Sequence, residues 1–385
     1  MLQPFEFLSP GRIVFGRGCS NQMVAAAAGL GRRALVVVGR DPSRHAARLE
    51  GMAQAGLSFE VLSVPVEPTI ELVRRGVSLA RATAVEVVVG LGGGSALDAA
   101  KVVAVLVPQR GDVLDYLEVI GSGQGLEDKG LPVIAVPTTA GSGTEVTRNA
   151  VLASPEHRVK ASLRGPRLVP RLALIDPDLS STMPPTVTAR TGVDALTQLI
   201  EPFVSLRAGP LTDGLCREGL RLAARSLARA VRDGGDPARD DMALAATLSG
   251  LALANAGLGI VHGLAGPVGG MVPAPHGAIC GALLAAGMDV NLRALRAREP
   301  ESDALRRFDE IGRLLTGRES ARAEDGVRWV ADLTSEMGIP RLSTYGLERA
   351  TVPEVVERAL VASSTRTNPV RLTSEELAEI VERSL

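Results

Sequence analysis

Residues 85–101 read VEVVVGLGGGSALDAAK. The run VEVVV at residues 85–89 is rich in β-branched residues and reads as a strand. Glycines follow at once from Gly90 to Gly94, and Ser95 opens a helical stretch that carries Asp98 and Lys101. A strand that turns through glycines into a helix is the repeating half of a parallel α/β unit. Glycine lets backbone N–H groups approach an anion, and the helix N-terminus adds partial positive charge, so one reading is a pyrophosphate cradle. The plainer reading is a tight turn that needs glycine for positive φ. The spacing is not GxGxxG, so the run alone does not decide between them.

Working outward, similar short apolar runs lie at residues 34–38 (ALVVV), at 133–136 (VIAV, stopped by Pro137) and at 172–175 (LALI). Amphipathic segments such as residues 69–82 separate them, the pattern of parallel strands buried on both faces by helices. This predicts a doubly wound α/β domain over residues 1–184. Met183-Pro184-Pro185 is a rigid breaker. Beyond it, residues 212–232, 303–315 and 374–383 show helical spacing and strand-like runs vanish, which predicts an all-helical domain over residues 185–385. Two domains also suit a chain of 385 residues.

Composition removes several function classes. Apolar residues make up 45% and charged residues 22% of the chain, as in a globular protein rather than a disordered one. The 42 basic and 43 acidic residues give a formal net charge of -1 without blocks of one sign, so neither nucleic acid nor an anionic membrane is an expected partner. Residues 243–288 contain no Asp, Glu, Lys or Arg. They are crowded with Gly, Ala and Pro and hold two histidines, which favours tightly packed helices around a buried site over a membrane span. Cys19, Cys216 and Cys280 lie far apart without a CxxC pair, so neither a disulfide framework nor a thiolate zinc site is expected. With no signal-peptide pattern at the N-terminus, a cytoplasmic location is the expectation.

Two further motifs carry chemistry. Residues 137–147 read PTTAGSGTEVT directly after a strand, where small hydroxyl residues reach phosphate, ribose or nicotinamide at the carboxyl edge of a sheet. They equally read as a helix cap. In the second half, Asp194 and Gln198 are four apart and share a helix face, while His262 and His276 sit in the uncharged segment. A buried imidazole needs a partner. Two of them with an Asp read either as hydrogen-bonded core residues or as a metal site.

Together these motifs resemble the iron-containing, or group III, alcohol dehydrogenases over nearly the whole chain, from Gly16 to Asn368-Pro369. The chain carries GGGSALDAAK, PTTAGSGTEVT, TGVDALTQLIE, GLGIVHG and PHG. The resemblance implies hydride transfer between a small alcohol and its aldehyde or ketone with NAD or NADP, assisted by Fe2+ or Zn2+, in a homodimer or larger assembly. Carried across by position, Gly93, Gly94, Ser95, Asp98, Thr138, Thr139, Ser142, Thr147 and Lys160 contact the cofactor, with Leu179 close by. Asp194, His262 and His276 bind the metal.

Three departures from the family pattern matter. Gln198 stands where most relatives have the fourth ligand, a histidine; an amide oxygen coordinates more weakly and shifts metal preference. Gly266 stands where many relatives have a second histidine, so no separate general acid is assigned. Gly39 stands where relatives that prefer NAD often have Asp, and Arg40 and Arg44 are adjacent, which leans toward NADP. The nearest alternative is a metal-independent enone reductase resembling maleylacetate reductase. A dehydroquinate-synthase-like lyase lacks its lysine contacts here, since the second half contains no lysine. A nucleotide-binding protein without turnover is the non-catalytic alternative.

Overall fold

A computed structural model describes residues 4–127, 129–157 and 159–385. The chain divides into two compact units. One comprises Leu8–Thr139 and Gly143–Thr182; the other comprises Met183–Leu385 together with Ala140–Ser142 and residues 4–7.

The first unit is built on strands β1 (Ile13–Phe15), β2 (Arg33–Val38), β3 (Ser58–Ser63), β4 (Val87–Gly92), β5 (Val133–Pro137), β6 (Asn149–Ser154), β7 (Val159–Arg164) and β8 (Leu172–Ile175). Helices α1 (Met23–Ala28), α2 (Ala46–Gln54), α3 (Ile70–Ala82), α4 (Gly94–Leu106) and α5 (Val113–Tyr116) lie between them in sequence. Six strands form a parallel sheet in the order β1-β8-β5-β4-β2-β3, and β6 pairs with β7 as a separate antiparallel hairpin.

Side chains alternate along a strand, and both faces of β2 from Ala34 onward and of β4 are buried, which explains why they carry no polar side chain there. Leu35, Val37 and Val88 join Val73 and Val77 of α3 and Ala100 and Val103 of α4 in one core. Val36, Val38, Val87 and Val89 turn to the other face and pack with Met23 and Ala27 of α1 and Met52 of α2. Each fully buried Val contributes roughly 1.5–3 kcal/mol relative to an exposed one, so the sheet centre needs no polar face. The strands that the apolar runs miss are the ones without this double burial. In β1 only Val14 is even partly buried, β3 fully buries Leu62 alone, and β6 buries alternate residues only.

The second unit contains no strand among its described residues. Its helices are α6 (Pro185–Val204), α7 (Pro210–Arg232), α8 (Asp236–Ala256), α9 (Ile260–Met271), α10 (His276–Arg298), α11 (Asp303–Thr316), α12 (Ala323–Glu336), α13 (Val352–Val361) and α14 (Ser374–Ser384). The uncharged segment forms the end of α8, all of α9 and the start of α10. By length and composition α10 could cross a membrane, yet 78% of its most apolar stretch is buried inside the protein. Small residues and core packing, rather than lipid exposure, account for the missing charges.

Lys101 ties the first unit together. It is fully buried on α4, and its Nζ donates to the carbonyls of Thr144 (3.0 Å) and Asn149 (2.6 Å) and to Thr147 Oγ1 (2.9 Å). Burial pulls its pKa from 10.5 down to about 8, with Asp98 and Glu145 opposing the shift. Below about 8 both folded and unfolded chains hold the proton. Between 8 and 10.5 only the unfolded chain does, so stability rises with pH across that window. The expected slope from this residue is up to ~1.4 kcal/mol per pH unit. Thermal melting of wild type and Lys101→Met should therefore diverge as pH rises through the window; a constant difference would remove the buried charge from the explanation.

Candidate metal centre and cofactor loops

The helical unit gathers Asp194, His262, His276 and Cys280, whose ligand atoms lie within 4.8 Å of one another. Three helices supply them. Asp194 is in the middle of α6, His262 in the first turn of α9, and His276 and Cys280 one turn apart at the start of α10. His262 Nε2 is 3.6 Å and His276 Nε2 3.8 Å from Asp194 Oδ1, and the two imidazole rings stand 5.4 Å apart.

Close packing of backbones fixes this meeting point. A Cβ on Gly277 would come within 2.2 Å of the Arg190 carbonyl oxygen, so α10 can touch α6 only with glycine after His276. Gly263, after His262, faces Thr365 equally closely. The α9 N-terminus is satisfied from afar: Asn368 Oδ1 accepts from Ile260 N, and Glu201 Oε1 accepts from Val261 N.

Glu201 also orients His262. Its Oε2 lies 2.6 Å from His262 Nδ1, and since an ionised carboxylate only accepts, Nδ1 carries the proton and Nε2 presents a lone pair. Glu201 lies seven residues after Asp194 on the same face of α6, within the TGVDALTQLIE motif. That spacing was the available signal for a residue the ligand reading omitted. A carboxylate behind a ligating histidine is the usual device for fixing its ring.

The cluster is built for a cation. Asp194 Oδ1 and His262 Nε2 are buried without a hydrogen-bond partner among the described residues, and each such orphan costs about 1–3 kcal/mol. The Asp194 oxygen and His262 Nε2 need a positive charge between them, and either a proton or a metal ion supplies it. Burial alone would lower the His262 pKa, but Cys280 and Glu201 outweigh it and raise it well above the ordinary value. Burial would likewise raise Asp194, yet His276 and His262 hold it low. A field that favours a proton on imidazole favours a metal ion there. His276, with 39% of its side chain exposed, is the accessible member.

Gln198 sits on the same face of α6 and is buried, with its Oε1 2.9 Å from Ser249 Oγ. Cys280 is a correction to the sequence reading, which found no thiolate zinc pattern: one thiol does join the two imidazoles and the carboxylate. Its signal is the i, i+4 spacing after His276. Burial would raise its pKa, but His276 and His262 pull it below the ordinary thiol value, whereas burial pushes Cys19 up to about 11.

In the first unit the glycine loop ends β4 and Gly93 caps α4 with no side-chain hydrogen bond, and no acidic residue occupies the first turn. The helix N-terminus is thus left to an anion. None of Gly90 to Gly94 has positive φ; the plainer turn reading gives way to close approach. A Cβ on Gly92 would meet Ala96 Cβ at 2.8 Å and Gly39 N at 3.3 Å, so β4 can lie against α4 and the end of β2. Thr139 packs its methyl toward Gly93, and Thr138 N donates to the Gly92 carbonyl.

Other expected cofactor contacts are engaged inside the protein. Asp98 accepts from Thr144 Oγ1 and Val151 N, Thr147 is buried against Lys101, and Lys160 pairs with Glu67 at 2.6 Å. Leu179 lies in the turn Pro177–Ser180, and Ser142 falls within the helical unit. Gly39 directly follows β2. Beside it Arg40 and Arg44 are exposed, donating to the Pro65 carbonyl and Thr182 Oγ1 respectively.

Comparison with known proteins gives the same result over both units. A family described as iron-containing alcohol dehydrogenase matches residues 10–177, and the C-terminal part of the Fe-containing alcohol dehydrogenase family matches residues 188–385. Long-chain-alcohol dehydrogenase 1 of Geobacillus thermodenitrificans is 37% identical over 399 aligned positions, covering 97% of each chain. The 1,3-propanediol dehydrogenase of Klebsiella pneumoniae is 34% identical, covering 86% of this chain and 84% of that protein. Among solved structures, a 1,3-propanediol oxidoreductase superposes with a TM-score of 0.91 at 31% identity over all of both chains. An alcohol dehydrogenase from Oenococcus oeni gives 0.90 at 30% identity, covering 99% of this chain and 100% of that one. The chain belongs to the iron-containing alcohol dehydrogenase family.

Proposed function

We propose that this protein is an NAD(P)-dependent alcohol dehydrogenase that interconverts an aliphatic alcohol and its aldehyde or ketone with the help of a divalent metal. The observation that carries the reading is the pair of buried, partnerless acceptors Asp194 Oδ1 and His262 Nε2 beside His276. Asp194, His262 and His276 hold the ion, and Gln198 shares the α6 face of Asp194. An Fe2+ or Zn2+ ion held there would supply Lewis acidity toward the alcohol oxygen, and a bound nicotinamide cofactor would supply the hydride-transfer chemistry. Glu201 keeps the His262 proton on Nδ1 and so keeps Nε2 free. Gly266 carries no side chain that could relay a proton, so the proton leaves through water or the cofactor ribose.

Gly39, Gly93, Gly94, Ser95, Thr138, Thr139, Ser142 and Leu179 hold the cofactor in this reading, while Asp98, Thr147 and Lys160 shape the loops around it. We assign NADP as the preferred cofactor because position 39 itself carries no carboxylate and Arg40 and Arg44 lie close by, while the neighbouring Asp41 carboxylate is engaged by Ser43. Aromatic residues are only 2% of the chain, which favours an aliphatic pocket. The relatives named above act on long-chain alcohols and 1,3-propanediol. None of them is an enone reductase. A homodimer in a reducing cytoplasm completes the proposal; three free, buried cysteines suit that compartment.

Elemental analysis, paired with NADPH- and NADH-dependent aldehyde reduction before and after chelation, tests the function. Activity that follows about one divalent ion per chain is expected; activity that persists without metal would transfer the protein to the enone reductases. Glu201→Gln should weaken metal binding by roughly 10–100-fold in competition with a chromophoric chelator, and unchanged affinity would remove Glu201 from the site. Gly39→Asp should shift the NADPH-to-NADH ratio of kcat/KM toward NADH by roughly tenfold or more, since like charges brought together cost several kcal/mol. No shift would detach Gly39 from cofactor choice.

A further inference from the structure

A buried cysteine is ordinarily a small apolar residue, inert and tightly packed. Cys216 fits that description in the helical core, buried among residues such as Leu220 and Leu199. Cys280 does not. It is 0% exposed, yet its Sγ lies 3.6 Å from His276 Nε2 and joins the cluster that also contains the two orphaned acceptors.

We infer that the Cys280 thiolate, rather than the Gln198 amide, is the fourth protein ligand, giving this chain an Asp-His-His-Cys metal site. The inference rests on the reading that this cluster binds a divalent metal.

Geometry is the first support. Four donors arranged tetrahedrally at metal-ligand bonds of about 2.0–2.3 Å stand about 3.3–3.8 Å from one another. The observed separations are 3.6 Å between His262 and Asp194, 3.8 Å between His276 and Asp194, and 3.6 Å between Cys280 and His276. These atoms are already at the spacing of a shared coordination sphere. The second support is placement: His276 and Cys280 are one turn apart on α10, so the same close contact at Gly277 that delivers the histidine delivers the thiol.

Donor chemistry is the third. Gln198 offers a neutral oxygen that already lies against Ser249 Oγ. A cysteine thiolate is a stronger donor to a divalent ion than a neutral amide oxygen. A thiolate also softens the site and favours Zn2+ over the harder, oxygen-preferring ions. Gln198 then serves as a buried hydrogen-bonding residue beside the site.

The test uses the full chain loaded with Co2+ or Zn2+. Wild type with Co2+ should show thiolate-to-cobalt charge-transfer absorption in the near ultraviolet, retained in Gln198→Ala and lost in Cys280→Ser. X-ray absorption of the Zn2+-loaded wild type should show one sulfur at about 2.3 Å, a readout that needs no variant to fold. A bound metal that depends on Asp194 but shows only nitrogen and oxygen neighbours would overturn the cysteine assignment and leave the metal-binding function standing. Failure of the wild type to bind either ion would overturn both.

Discussion

Asp194 Oδ1 and His262 Nε2 face each other across 3.6 Å in the interior of the helical unit, neither with a hydrogen-bond partner among the described residues. An arrangement of that kind is unfavourable in a protein that keeps the space for itself. Everything around it holds the arrangement in place: Glu201 pins the His262 ring, Asn368 ties down the start of α9, Gly277 lets α10 meet the α6 backbone, and Gly263 leaves room for the Thr365 side chain against α9. The charge-free segment follows from the same demand, because helices this close exclude long charged side chains.

The sheet unit meets an analogous demand with different means. There the glycines after β4 act through contact rather than through φ, bringing strand, helix and the end of β2 together. Lys101 then anchors the hydroxyl-rich loop from beneath with three hydrogen bonds. A buried ammonium is unfavourable on its own, and these acceptors offset much of that cost. The two motif loops thereby form one supported surface at the carboxyl ends of β4 and β5, where parallel sheets bind ligands.

Conservative changes at a site can hide a compensating one elsewhere. Gln198 taken alone reads as a weakened metal site. In the inferred site Cys280, on a different helix and far away in sequence, is the stronger donor. The loss and the gain are coupled only through the contact between α6 and α10.

The sequence alone determined the class of each half, the apolar runs of the doubly buried strands and the helical spacing of residues 212–232, 303–315 and 374–383, because periodicity is a local property; Asp194, His262 and His276 were candidates there through the motifs that resemble the family. Asp194 and Glu201 could be placed on one helix face from their spacing, but not the bond from Glu201 to a residue in α9. Edge strands β1 and β3 and the hairpin β6–β7 escaped because half-exposed strands carry no continuous apolar run. Only the tertiary structure decided that Thr147 and Asp98 are engaged inside the protein, that the glycine loop serves close packing, and that Cys280 stands among the metal-binding side chains. Those outcomes depend on which backbones approach within a few ångströms of each other, and contact between segments distant in the chain leaves no period to read.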